Sequence, residues 1–216
     1  MKPLSECYLY GFVDTAYLQG RPVEIVAQQL CDGGADLIQL RAKNAPLEKV
    51  RRLAEKILPV TRAAQIGLVI NDHLSIAREL GAEFCHLGQE DFTATGQANV
   101  AGLFQESPRV GIGLSTHGPD QAERALQAQA DYIAIGPVYA TGTKPSAKPV
   151  TLDYVRWAAN HVGIPWFAIG GINLQNLDQV LAAGTRRICV VSAILNQSDI
   201  CATCRAFKER LIAAQS

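Results

Sequence analysis

Three residues of the stretch QLRAK, Gln39, Arg41 and Lys43, occupy alternate positions in an otherwise apolar run. Alternate side chains of a strand share a face, so two cations and an amide are aimed at one place. Asn71 and Asp72 close the run GLVIND, Asp91 follows FCHLG, Ser115 ends RVGIGLS, and Lys144 stands in YATGTKPSAKP. Arginine forks onto two phosphate oxygens, and lysine acts as a compact point charge. Two aspartates are too few to cage calcium. They suit magnesium, which keeps waters and takes one or two carboxylates together with phosphate oxygens. Cations, paired aspartates and a hydroxyl therefore suggest a diphosphate bridged by magnesium. A second anion site is expected where Gly170 and Gly171 follow PWFAI and where Val191 and Ser192 end the run RRICVVSA. There a missing side chain lets phosphate approach backbone N–H groups.

Each of these residues has a structural alternative. Asn71 or Asp72 is equally placed to cap the helical pattern that follows, and Arg41 and Lys43 could be solvated charges at a strand end. Ser115 and Thr116 could cap a helix beginning near Gly118, and a GG pair is used freely in turns. His86 and His117 are expected as packed or hydrogen-bonded histidines rather than catalysts. Convergence on one rim outweighs the separate signals.

That convergence depends on the elements beneath. Short apolar runs at 7–14, 36–41, 67–72, 84–88, 109–115, 131–138, 165–171 and 186–193 read as strands. Amphipathic patterns at 22–33, 46–64, 73–80, 96–105, 118–128, 151–161, 175–183 and 198–213 read as helices. GGAD, LGAEF and AGTRR recur just ahead of strands, where glycine ends a helix in the left-handed conformation. Eight such units in 216 residues predict one domain, 1–216, an α/β fold of the (β/α)8 TIM-barrel type. An open doubly wound sheet is the runner-up, disfavoured by eight regular units and no GxGxxG turn. In a barrel, chemistry sits at the C-terminal ends of the strands, where all the residues above would meet.

Composition bounds the partners. Hydrophobic residues make up 48% and charged residues 19%, the balance of a packed globule. Twenty basic and twenty acidic residues cancel, which argues against capture of nucleic acid. No apolar run is long enough to span a bilayer, and MKPLSECYLYGFVD lacks a secretory h-region, so a cytoplasmic protein with no membrane partner is expected. The six cysteines are then reduced thiols rather than a disulfide framework. Cys31, Cys85 and Cys189 are expected in the core. Cys201 and Cys204 form CATC, read as helix packing because no second pair or histidine completes a zinc site. Oligomeric state does not follow from the pattern.

Seven pieces, QLRAK, IND, HLGQED, GLSTH, GPVYATGTK, AIGGI and VVSAI, arrive in the order of a known family. Over essentially its whole length the sequence resembles the thiamine phosphate synthases (thiamine-phosphate pyrophosphorylases). The resemblance implies a transferase with magnesium as its ion. It would join 4-amino-2-methyl-5-hydroxymethylpyrimidine diphosphate to 4-methyl-5-(2-phosphoethyl)thiazole, giving thiamine phosphate and diphosphate by a dissociative, carbocation route. It assigns Gln39, Arg41, Lys43, Asn71, Ser115 and Lys144 to the pyrimidine diphosphate, with Arg41, Lys43, Lys144 and Ser115 as the catalytic set. Asp72 and Asp91 would bind magnesium. Thr141, Thr143, Gly171, Val191 and Ser192 would hold the thiazole phosphate. His73 stands where many relatives have aspartate or arginine, next to the ligand position rather than on it. The segment 141–149 reads, by composition and analogy, as a lid over substrate. The rival readings are a thiazole tautomerase of the same superfamily, which needs the late phosphate cradle without the diphosphate clamp, and a non-catalytic phosphometabolite-binding barrel.

Overall fold

A computed structural model describes residues 1–104, 109–142 and 148–215. Eight parallel strands close into a barrel in sequence order: β1 Leu9–Asp14, β2 Leu37–Arg41, β3 Gly67–Asn71, β4 Phe84–Leu87, β5 Gly111–Thr116, β6 Tyr132–Ile135, β7 Trp166–Ile169 and β8 Ile188–Val190. The ring is completed by β1 pairing with β8, Tyr10 opposite Cys189. Around it lie α1 Val23–Asp32, α2 Leu47–Ala63, α3 Leu74–Leu80, α4 Gln89–Ala94, α5 Pro119–Gln127, α6 Thr151–His161, α7 Leu177–Ala182, α8 Ser192–Leu195 and α9 Ile200–Ala213. Strands buried on both faces must be apolar throughout, which is why β1 through β8 read as continuous runs. Helices bury only a stripe, and α1 covers Val23, Val26, Ala27 and Leu30 at the i, i+3, i+4, i+7 spacing.

The register sorts the strand side chains. Phe12 pairs with Gln39 and Asp14 with Arg41, Gln39 with Val69, Asn71 with His86, His86 with Gly113 and Ser115 with Ala134. With the period of two, these residues form the inner face. Along that face the chemistry changes from apolar to polar toward the C-terminal ends: Leu37 to Gln39 to Arg41, Val69 to Asn71, Phe84 to His86, Gly113 to Ser115. Gly111 and Gly113 leave room for the rings of Phe84 and Tyr132, which a Cβ at either position would strike. Tyr10, Tyr132 and Phe167 pack edge to face at 5.4–6.1 Å between centroids, making an aromatic floor.

The opposite end is built for stability. Asp36, just ahead of β2, accepts the N–H groups of Tyr8 and Leu9 at 2.8 and 3.0 Å and pairs with Lys208. Glu83 ahead of β4 accepts from Leu68 at 2.8 Å, and Asp131 ahead of β6 accepts from Ile112 at 2.7 Å. Each carboxylate thus caps the start of the preceding strand, satisfying an N–H that no neighbouring strand reaches.

Three expectations need correction. The helix expected at 96–105 is instead α4 at 89–94 followed by a short 3-10 turn, Val100–Leu103. Gly96, at φ +69°, interrupts helical geometry, whereas in α4 the Asp91 carboxylate accepts the Gly88 N–H at 3.2 Å and the first turn is acidic. The eighth strand ends at Val190, and its expected last residues Ser192 and Ala193 begin α8. The left-handed glycine expected in GGAD is present as Gly34, at φ +88°, one residue past the right-handed Gly33. All six cysteines are free, and Cys31 is half-buried rather than in the core. Cys204 packs in α9 against Gly33, consistent with the packing role expected of CATC.

Candidate active site

One cavity of about 1060 Å³, its open mouth included, lies at the C-terminal end of the barrel. Gln39, Arg41, Lys43, Asn71, Asp72, Asp91, Ser115, Thr141, Gly171, Val191 and Ser192 all line it, with Gly170 beside them. Thr143 and Lys144, and most of the segment 141–149, lie outside the described residues.

β2 carries the first wall. Gln39 is buried and Arg41 sits at the mouth, its side chain 16% exposed. The Arg41 Nη1 bonds the Asp14 carboxylate at 2.7 Å, and Asp14, 1% exposed, also accepts the Ala16 N–H at 3.0 Å. The guanidinium is thereby fixed while four further N–H donors remain for a ligand. Lys43 lies just past the strand and pairs with Asp72 at 2.6 Å. With Lys43 about half exposed, this pair is weakly held and easily exchanged for another anion. Asp72 has φ +65°, unusual for a residue with a side chain, and its N–H bonds the His86 carbonyl at 2.9 Å. The N-cap of α3 is His73, without a side-chain cap bond, so neither Asn71 nor Asp72 performs the capping task weighed above.

Ser115 and Thr116 likewise do not cap α5, whose N-cap is Gly118. Thr116 faces outward, donating to the Ala134 carbonyl at 2.9 Å and accepting from Tyr154 at 2.8 Å. Burial pushes the Tyr154 phenol up to about 12. Ser115 points inward, its Oγ 2.9 Å from His86 Nε2, and its carbonyl accepts from Gln89 at 2.6 Å. His117 bonds the Gly136 carbonyl through Nδ1.

The far wall is backbone. Gly170 and Gly171 have φ +103° and +65°, and a Cβ on Gly171 would lie 2.7 Å from both the Ala140 carbonyl oxygen and the Tyr139 Cβ. Neither conformation nor space admits a side chain there. Val191 and Ser192 stand at the entrance to α8. Cys189 also lines the cavity, but burial pushes its thiol well above the ordinary value, so it is no nucleophile.

Sequence reasoning missed Asp14, which clamps Arg41, and Tyr10 and Tyr132, which line or floor the cavity. The strand-end rule that found Asn71 and Ser115 selects Asp14 when applied to β1. The tyrosines carry no such signal, because an aromatic inside an apolar strand is what β-propensity expects.

Among the described residues no three His, Cys, Asp or Glu side chains form a metal cage. The donor set is two aspartates, Asp72 just past β3 and Asp91 in the first turn of α4, both facing the cavity. That fits an ion completed by ligand phosphates and water, as magnesium usually is, and not one held by protein alone.

Closed barrel and polar mouth together define a (β/α)8-barrel enzyme with its chemistry at the C-terminal end of the strands. A family model described as thiamine monophosphate synthase matches residues 9–194. A thiamine-phosphate synthase of Thermus thermophilus is 45% identical over 181 residues, covering 83% of this chain and 84% of that protein. That of Halalkalibacterium halodurans is 36% identical over 200 residues, 92% of each. Among solved structures, thiamine phosphate pyrophosphorylase from Pyrococcus furiosus superposes with a TM-score of 0.87 at 26% identity, covering 100% of both chains. The chain belongs to the thiamine monophosphate synthase family and is a transferase of thiamine biosynthesis.

Proposed function

We propose that the two walls of the cavity take the two phosphorylated substrates of thiamine phosphate synthesis. The pyrimidine diphosphate lies against Gln39, Arg41, Lys43, Asn71 and Ser115, and the thiazole phosphate against Gly171, Val191, Ser192 and Thr141. Thr143 and Lys144 are assigned by resemblance alone, to the thiazole phosphate and the diphosphate respectively. The observation that carries this reading is the layout. Cations and carboxylates stand at and just past the ends of β2, β3 and β4, while the Gly170–Gly171 pair after β7 and the turn into α8 face them across the ring.

The chemistry follows from the charges. When the bond from the pyrimidine methylene carbon to the diphosphate oxygen breaks, its electron pair leaves with the diphosphate. Negative charge then grows on the leaving group and positive charge on the pyrimidine. Arg41, held rigid by Asp14, offers preorganised donors to the leaving group, the form of catalysis that costs no reorganisation. Lys43 exchanges Asp72 for a phosphate oxygen. A thiazole nitrogen held by its phosphate on the opposite wall then donates its lone pair to the carbon, forming the new C–N bond. The aromatic floor of Tyr10, Tyr132 and Phe167 closes the inner end of the cavity to water behind the cation. Asp72 and Asp91 would hold magnesium, whose contribution when bound is Lewis-acid neutralisation of the diphosphate.

The two walls predict separable binding. In calorimetry, Arg41→Ala should weaken inorganic diphosphate with magnesium while leaving thiazole phosphate unaffected, and Gly171→Val should do the reverse. Loss of both ligands in both folded variants would overturn the two-wall assignment.

A further inference from the structure

Beneath the mouth, five inward side chains from five strands form one hydrogen-bonded row that no substrate assignment above explains as a whole. Gln39 Nε2 donates to the Tyr10 hydroxyl at 2.6 Å, and the Tyr10 and Tyr132 hydroxyls are 3.1 Å apart. The Tyr132 hydroxyl is 3.1 Å from His86 Nδ1, and His86 Nε2 is 2.9 Å from Ser115 Oγ. The tyrosines are fully buried, with Gln39 at 2% and His86 at 7% exposure.

Counting protons along the row gives it a direction. Tyr10 accepts from Gln39, so its single proton goes to the Tyr132 oxygen. The proton of Tyr132 is then the one that meets His86 Nδ1. An imidazole that accepts at Nδ1 carries its proton on Nε2 when neutral, and Nε2–H therefore donates to Ser115 Oγ. The serine proton is turned away from the histidine, into the cavity. Burial pushes both phenols well above their ordinary range, so each keeps the proton this counting requires.

We infer that His86 and Tyr132 are positioning residues that fix the Ser115 hydroxyl as a hydrogen-bond donor toward substrate, and that His86 is not a base for Ser115. A serine and a histidine 2.9 Å apart resemble a nucleophile and its base. That pair, however, needs an unprotonated Nε2, and the row delivers the opposite tautomer. A donor aimed at an anionic substrate suits departure of a leaving group better than a nucleophile would.

The inference rests on the proposed contact between Ser115 and the pyrimidine diphosphate, and its test separates the two. Nitrogen-15 spectra of histidine-labelled protein, with His86 assigned through His86→Gln, should show the neutral Nε2–H tautomer near pH 7.5. Tyr132→Phe should abolish that preference. An Nδ1–H or doubly protonated ring in the unaltered protein overturns the inference whatever Ser115 touches. In kinetics, His86→Leu should lower kcat about tenfold with KM little changed, the scale of one misdirected hydrogen bond to a charged group. His86→Gln, whose amide N–H can reach Ser115 from the Nε2 side, should recover most of that loss. An Nε2–H ring with unchanged kcat in His86→Leu overturns the Ser115 contact, and the orienting role with it.

Discussion

Replacing Asp14 by alanine removes the counter-ion of Arg41 from a site that water barely reaches. The Asp14 side chain is 1% exposed, and its two oxygens hold the Arg41 guanidinium at 2.7 Å and the Ala16 N–H at 3.0 Å. Breaking a fully buried ion pair costs about 3–5 kcal/mol, because the survivor is left charged and unpaired. Arg41 is 16% exposed and can turn toward the mouth to rehydrate, which favours the low end, about 3 kcal/mol. Asp14→Asn keeps one acceptor oxygen, which serves either Arg41 or the Ala16 N–H, and sets its amide N–H2 against the other donor, so about 2 kcal/mol is expected. In a domain of this size each kcal/mol lowers Tm by about 2–4 °C, giving a drop of about 6–12 °C for alanine. Urea denaturation at pH 7 should show a lower midpoint with an unchanged m-value. Adding Arg41→Met to Asp14→Ala should recover part of the loss, since no unpaired charge then remains. The freed guanidinium should also raise KM for the pyrimidine diphosphate more than for the thiazole phosphate. A cost below about 0.5 kcal/mol for Asp14→Ala, the level of an ordinary surface change, would refute the clamp.

Other outcomes follow from the same geometry. Gly171→Ala should cost about 2 kcal/mol in a melt, from the left-handed φ and the contact with Ala140, and should weaken thiazole phosphate binding. Asp91→Ala should raise the magnesium concentration giving half-maximal activity by at least the ~10–100-fold that loss of an outer-shell partner costs. Stability should fall in alkali. Burial raises Cys7 from the ordinary thiol value of 9.0 to about 11 and Cys204 to about 12. The unfolded chain then releases these protons first, so their stabilisation is complete below pH 9 and lost as pH rises toward 11 and 12. Each contributes a slope of about −1.4 kcal/mol per pH unit in that window. Guanidinium midpoints from pH 8 to 11 check this, and the slope should shrink in Cys204→Ala.

Much of this fold is legible in the sequence because a parallel barrel writes itself twice. Strands buried on both faces give continuous apolar runs, and Gly81 and Gly184 mark helix ends where only a left-handed residue continues the chain. The rim was legible for a similar reason. Arg41, Asn71 and Ser115 are polar endings on apolar strands, and period-two alternation sends each inward. What stayed hidden depends on pairing between strands distant in sequence. Gln39, Tyr10, Tyr132, His86 and Ser115 form a row only because β1 meets β2, and β4, β5 and β6 meet in register. No local pattern encodes which tyrosine faces which histidine. The 96–105 segment misled for a local reason. Its apolar spacing is helical, but Gly96 takes a positive φ and the acidic first turn of QEDFTA starts a helix earlier.

The measurement closest to the central claim is product formation by the purified protein given both heterocycles, first with magnesium and then with excess EDTA. Thiamine phosphate and diphosphate should appear in equal amounts with magnesium, and both should vanish on chelation and return when the ion is restored. No product under any magnesium concentration, from protein that still binds thiazole phosphate, would contradict the account of a diphosphate clamp working against a phosphate cradle.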